Sequence, residues 1–274
     1  MLASGDTRLV EIDGMEQVYV GAGEFQMGIE DNEAKLENSG GVALAEVPAH
    51  TLSLPGFWID KFEVTNHQYS LCVADGECEA PRLEESFLGI EYYANPDYAE
   101  YPVIYVDFFM AEGYCTWAGR RLPAEAEWEK AARGPDGSKY PWGSDALTGA
   151  HGNFCDGNCP KTHANPGFDD GYAETAPVGS YPAGASPYGA MDMAGNVWEW
   201  VDTIPGPYPY DPLDGREADE TRAPEDVAFG EGPQRMWRGG TWANGVWWMR
   251  ATVRYHSVPH YWHNSLGFRC ASSD

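Results

Sequence analysis

Apolar and polar positions alternate through MEQVYVGAGEFQMG (15–28), which predicts a strand, a turn and a second strand. Residues 29–48 are polar and acidic and read as a loop. A short apolar run, FWID (57–60), predicts a strand, and a helix opens near Thr65. In VDFFMAEGYCTWAG (106–119) the apolar residues take helical spacing behind Asp107, a suitable N-cap. Helical spacing returns in LPAEAEWEKAARG (122–134). There Pro123 opens the helix, Glu125 and Glu127 sit in its first turns, Lys130 and Arg133 lie near its end, and Gly134 stops it. That charge order complements the helix dipole at both ends. From about 134 to 190 Pro, Gly, Asn and Asp dominate and regular structure is sparse. A second acidic, Pro-rich loop covers about 202–232. RMWRGGTW (235–242) and LGFRC (266–270) read as core strands. No internal repeat is present. The pattern predicts one loop-rich α+β domain over 12–272, preceded by an N-terminal tail, 1–11.

Composition narrows this further. The chain has 274 residues and a formal charge of −26, with 11 Trp, 16 Tyr and 10 Phe. So many rings bury enough surface to offset chain entropy, which excludes disorder. With 32 Gly and 20 Pro, long helical bundles are excluded as well. No apolar run approaches the ~18–20 residues of a membrane span. The negative charge argues against nucleic acid as a partner. The first 21 residues lack a basic region followed by an apolar core, so no signal peptide is expected. Gly21 and Gly23 give G-x-G without a third Gly or a following helix, so a dinucleotide loop is not supported. Cys72 and Cys78, and Cys155 and Cys159, form two close pairs, either small disulfide loops or free thiols; Cys115 and Cys270 read as isolated. Disulfides would suit an extracytoplasmic or cell-surface setting. The compartment and the oligomeric state stay open.

The blocks just quoted, together with YPWG (140–143) and TAPVGSYPAGASPYGAMDMAGNVWEW (175–200), occur in one order that resembles the formylglycine-generating enzyme, or sulfatase-modifying factor, family. The resemblance implies its variant of the C-type lectin fold. Active members oxidise a cysteine of a sulfatase segment with copper held by two cysteines after an RGG-S/T motif. In this chain those positions fall on Asn244 and Met249, and neither supplies the soft thiolate copper(I) requires. Copper is therefore not expected, nor is formylglycine production, and Cys270 is expected to be packed rather than reactive. Relatives that join sulfur to histidine betaine use iron from another domain, for which no room is expected here.

The resemblance also implies two structural calcium sites. One falls on Asn153 and Asp170 with the carbonyls of Phe154 and Tyr172. The other falls on Asp192 and Glu199 with the carbonyls of Gly195 and Val197. Such oxygen sets suit calcium, although ordinary Asx turns share this composition.

Between Gly232 and Ser273 there is no acid, but five Arg, three His and five Trp. Trp237, Trp242, Leu266 and Phe268 are expected in the core, and Arg238 and Arg269 as buried partners of carboxylates. Aromatics and Arg dominate binding hot spots. A ligand-facing role is therefore expected within 241–266 for Asn244, Trp247, Trp248, Tyr255, His256, His260, Tyr261, Trp262 and His263. The spacing His256-x-x-x-His260 would suit a metal on a helix, but Pro259 breaks a helix there. No nucleophile elbow or phosphate-binding loop is present. The window between RGGTW and LGFR also resembles the diversified segment of retroelement-encoded variable proteins, although Trp247 and Trp248 fit that pattern poorly. The expected function is non-catalytic binding of a protein or peptide ligand on a calcium-stabilised scaffold. Alternatives are a metal-dependent oxidase or hydrolase with an altered site, and a domain that regulates or chaperones a partner enzyme.

Overall fold

The computed structural model describes residues 2–30, 45–217 and 233–273. Most of the two acidic loops expected at 29–48 and 202–232 lies outside them. The strand–turn–strand reading is observed as β2 (Glu16–Val20) and β3 (Gly23–Met27). Strand β2 pairs with β5 (Phe57–Asp60), and β3 pairs with β4 (His50–Leu54). Residues 1–11 are not a free tail: β1 (Thr7–Leu9) adds antiparallel to β2. At the other end β10 (Ala271–Ser273) pairs with β5, so the two ends of the chain close one four-stranded sheet, ordered β1-β2-β5-β10.

Two of the helices begin at a side-chain cap. Thr65 and Gln68 form a capping box for α1 (Asn66–Asp75). The Asp107 carboxylate accepts from the Met110 N–H at 3.0 Å and opens α2 (Phe108–Trp117). Helix α3 (Glu125–Arg133) ends at Gly134, with its acids first and its bases last. A second four-stranded sheet carries the C-terminal half, ordered β8 (Tyr255–Ser257), β7 (Arg235–Arg238), β6 (Trp198–Trp200) and β9 (Leu266–Phe268). The main core packs α1 and α2 on this sheet through Tyr69, Phe108, Tyr114, Trp200 and Phe268.

All six cysteines pair, as Cys72–Cys78, Cys155–Cys159 and Cys115–Cys270. The third pair corrects the isolated reading of Cys115 and Cys270. It spans 155 residues and ties α2 to the end of the chain, a contact that only folding creates. These pairs are compatible with an extracytoplasmic setting. Among the described residues no helix is long and apolar enough to cross a membrane.

Arginines anchor α3 to the sheet. The Arg238 Nη2 lies 2.5 Å from Glu129 Oε2, and Arg254 Nε lies 2.7 Å from Glu125 Oε1, with all four side chains buried. Arg269 likewise pairs with Glu199 at 2.7 Å, so Arg238 and Arg269 are carboxylate partners, as expected.

Candidate functional site

The RGGTW motif builds the site by close approach. Strand β7 ends at Arg238, and Gly240 follows at φ 75°. A Cβ there would stand 2.6 Å from the Trp248 carbonyl oxygen, so only glycine lets the 246–249 turn close against the motif. The Thr241 hydroxyl then donates to the Asn196 carbonyl at 2.9 Å, and the Asn244 carbonyl accepts from Cys155 N–H at 2.8 Å. These bonds fix the Asn244 backbone at the wall of a cavity of about 250 Å³.

Five aromatic rings wall this cavity: Trp198, Trp237, Trp248, Tyr255 and Tyr261. Trp237 lies 5.4 Å from Tyr255 and 5.3 Å from Tyr261, and Trp198 meets Trp248 edge-on at 5.9 Å. Asn244 and Trp237 each also carry a buried polar atom, Oδ1 and Nε1, with no hydrogen-bond partner among the described residues. His263 Nδ1 pairs with Ser265 Oγ at 2.8 Å. Burial and the nearby Lys161 push the His263 pKa down, which favours the neutral ring.

The cavity brings together Asn244, Trp248, Tyr255, Tyr261 and His263 of the nine expected ligand-facing residues. The other four stand elsewhere, so the segment does not present one continuous surface. Trp247 lies beneath Arg250, whose guanidinium sits 4.3 Å from its ring, and packs with Ile29. His256 lines a separate cavity of about 530 Å³ beside Arg254 and Met236. His260 meets Phe109 at a tilt, with ring centres 4.8 Å apart, and lines a third cavity, of about 450 Å³. Trp262, 37% exposed, meets the ring of Tyr105 at 5.9 Å. Pro259 is buried, whereas Tyr255, His256, Trp262 and His263 on either side of it are exposed. Sequence reasoning assigned Trp237 to the core alone and passed over Trp198. Both are core residues that also wall the cavity, and a buried ring carries no sequence mark of the void beside it.

The residues of the first expected calcium set are linked by hydrogen bonds. Asn153 is 1% exposed, and its amide nitrogen donates to the Glu174 carbonyl at 2.8 Å. Its Oδ1 has no partner among the described residues. Asp170 accepts from the N–H groups of Phe154 (2.9 Å) and Tyr172 (3.0 Å), which draws all four residues together. Burial pushes its pKa up to about 7.

The second set is arranged differently. Glu199 is fully buried, and Arg269 bonds both of its oxygens at 2.7 Å. The Trp128 indole N–H adds a third bond at 2.7 Å. Asp192 accepts from Gly179 N–H at 2.6 Å, and burial raises its pKa to about 6. Gly195 stands where a Cβ would meet the Asn153 carbonyl oxygen at 2.1 Å. The Val197 N–H donates at 3.0 Å to Glu63, a buried acid that sequence reasoning missed. Burial and the charges of Asp192 and Glu199 raise the Glu63 pKa well above the ordinary carboxylate range. Among the described residues no group of three or more His, Cys, Asp or Glu side chains is arranged to hold a metal, so a cation would rely on amide and carbonyl oxygens.

Comparison with known proteins agrees with this architecture. A family model described as "Sulfatase-modifying factor enzyme 1-like domain" matches residues 6–274. The chain is similar to the hercynine oxygenase of Mycolicibacterium smegmatis, with 33% identity over 266 residues, 88% of this chain and 58% of that protein. It is 33% identical over 267 residues to the serine/threonine-protein kinase Pkn1 of Chlamydia trachomatis, covering 93% of this chain but 38% of that one. With the formylglycine-generating enzyme of Streptomyces coelicolor it shares 33% identity over 298 residues, 93% of this chain and 88% of the relative. The chain thus spans only part of the first two relatives. Among solved structures, PvdO from Pseudomonas aeruginosa matches at TM-score 0.71 and 25% identity over the full length of both chains. Treponema denticola variable protein 1 shares the fold, with TM-score 0.64, 19% identity, and 98% and 99% of the two chains covered. By the span of the family match and by these identities, the chain belongs to the sulfatase-modifying factor enzyme 1-like family.

Proposed function

We propose that this protein binds a protein or peptide ligand in the cavity beside Asn244 and performs no oxidation there. One observation carries the reading: Asn244 lines the cavity where active relatives are expected to place a thiolate, while all six cysteine sulfurs are paired in disulfides. The second thiol position holds Met249, fully buried against Phe154 and Ala194. Incubation with copper and a cysteine-bearing sulfatase peptide is expected to yield no aldehyde; its appearance overturns the reading.

Trp248 is a wall of the cavity and only partly buried. Against a peptide selected on the wild-type protein from a display library, Trp248→Ala is expected to weaken binding by about thirtyfold, the effect of losing a Trp hot spot. Its thermal midpoint should stay within ~2–4 °C of wild type, since little more than ~1 kcal/mol of packing is removed. Equal losses of stability and affinity would argue against a binding role.

We further propose a structural calcium ion at the first ligand set. The unpartnered Asn153 Oδ1 and the bonds that hold Phe154 and Tyr172 to Asp170 support it, and the donors are the hard oxygens calcium prefers. The second set fits a cation poorly, because Arg269 already neutralises Glu199. Chelation is expected to lower the thermal midpoint and added calcium to restore it, as for any ligand bound only by the folded state. An unchanged midpoint with no bound calcium excludes the ion.

The named activities of two relatives favour a second reading, a metal-dependent oxidase using Asn244, Tyr255 and His263. Stoichiometric copper or iron with oxygen consumption would establish it. Retroelement diversification of 241–266 is tested by nucleotide context, through a near-copy of this coding segment beside a reverse transcriptase. Secretion, which the three disulfides support, is tested by fractionation of the native host.

A further inference from the structure

The second four-stranded sheet ends at β8, and the bonds of β7 fix which backbone groups face outward there. In β7 the Met236 N–H donates to the Thr203 carbonyl at 3.0 Å, and the Met236 carbonyl accepts from Val201 N–H at 3.1 Å, so both groups turn toward β6. Backbone groups alternate along a strand, so Arg235 and Trp237 turn toward β8, where their register partners are Ser257 and Tyr255. The N–H and C=O of His256, between those two, point off the outer edge of the sheet. Neither has a backbone partner among the described residues, and His256 is exposed. Side chains alternate as well, and here they divide two cavities. Trp237 and its partner Tyr255 share one face and wall the aromatic cavity of about 250 Å³. Met236 and its partner His256 share the other face and line the cavity of about 530 Å³, together with Pro205 and Pro207. Among the described residues no Asp or Glu lines either cavity, and the charge of Arg254 in the larger one is taken up by Glu125. An outward pair of main-chain groups thus stands between two largely uncharged recesses, one on each face of the sheet. A bound helix would offer that edge no main-chain bonds, since its own groups are paired internally. An extended segment laid along β8 bonds the edge and sends successive side chains to opposite faces.

We propose that the protein or peptide ligand joins this sheet as a fifth strand beside β8. The His256 N–H donates to a ligand carbonyl, and the His256 carbonyl accepts from a ligand N–H. The ligand side chain beside His256 turns to the larger cavity, and its neighbours in sequence turn to the aromatic one. The segment recognised is extended, with adjacent apolar residues and no proline at the bonded amide. The inference rests on the reading of the cavity beside Asn244 as the ligand site and names how the ligand's backbone is held there.

The peptide selected by display on the wild-type protein tests it. In amide hydrogen exchange the His256 amide of the free protein should exchange fast, whereas those of Tyr255 and Ser257, turned toward β7, should be slow; bound peptide should slow the His256 amide about tenfold or more. By calorimetry, N-methylation of one peptide amide should weaken binding about tenfold, the effect of one or two net hydrogen bonds, while the amides on either side of it, which point away from β8, should tolerate the methyl group. His256→Pro removes the outward N–H at an edge position, where proline is tolerated, so this variant should fold and bind about tenfold more weakly than His256→Ala. If His256→Pro does not fold, the N-methyl series decides. A His256 amide already slow in the free protein overturns strand addition. So does peptide binding that leaves this amide fast and tolerates every N-methyl group; if Trp248→Ala still weakens that peptide, the cavity stands as the ligand site. Binding indifferent to Trp248→Ala as well overturns the cavity reading itself.

Discussion

Replacing Glu199 by Ala is expected to lower the thermal midpoint by about 10 °C, the largest effect of any single side-chain truncation proposed here. Glu199 lies on β6, fully buried, with both oxygens bonded to Arg269 and a further bond from Trp128. Arg269 uses its remaining N–H groups on the carbonyls of Asp60, Lys61 and Met191, so it joins both four-stranded sheets to the 191 loop. Removing the carboxylate leaves a guanidinium and an indole N–H buried with no acceptor in its place. Breaking a buried pair in this way costs about 3–5 kcal/mol, and each kcal/mol moves the midpoint of a protein of this size by ~2–4 °C. Thermal unfolding by circular dichroism measures the shift. The calcium set expected from the sequence would assign the same loss to a missing metal ligand. Two measurements separate the causes. The destabilisation should persist at equal size in chelator and in excess calcium, and Glu199→Ala combined with Arg269→Met should be less destabilised than the sum of the two single changes, because the guanidinium left unpaired is gone. A loss that vanishes in chelator would place Glu199 on a metal instead.

Loss of the Cys115–Cys270 disulfide is expected to be comparably severe. Its two ends are 155 residues apart, and closing a loop of that length restricts the unfolded chain by about 5 kcal/mol in the chain-entropy account. The Cys155–Cys159 pair closes a separation of only 4 residues, worth about 2 kcal/mol on the same basis. Paired Cys115→Ala and Cys270→Ala substitutions should therefore lower the denaturation midpoint at least twice as far as the paired changes at Cys155 and Cys159. The long bridge also fixes β10 beside β5, where the chain's two ends meet in one sheet. Equal effects of the two pairs would show that native-state strain or residual denatured structure, rather than loop length, sets their contribution.

The site divides between what the chain announces and what it conceals. Asn244 was reached through the family resemblance, as a position where active members carry a cysteine after the RGG motif, and the Gly239-Gly240 turn of that motif has a local cause: a Cβ at Gly240 would strike the Trp248 carbonyl. The aromatic character of the cavity was also visible, through Trp248, Tyr255 and Tyr261. The grouping was not. His256 and His260 share the segment with His263 yet line different cavities, because β8 and the buried Val258–Pro259 corner send successive side chains to different sides.

Local chemistry is what the amino-acid order determined by itself. The caps at Thr65 and Asp107, the stop at Gly134, the alternation in β2 and β3 and the apolar runs of β5, β7 and β9 each depend on neighbours within a few residues, where capping, backbone freedom and side-chain periodicity act. Only the tertiary structure decided which distant charges and sulfurs meet. Arg250 reaches Glu46 across 204 positions, Arg269 reaches Glu199 across 70, and Cys115 finds Cys270 across 155. Nothing along the chain encodes such pairings one by one. They follow from the packing of the three sheets and three helices of the described residues, which sets these opposite charges side by side in the interior, where leaving either one unpaired would be costly.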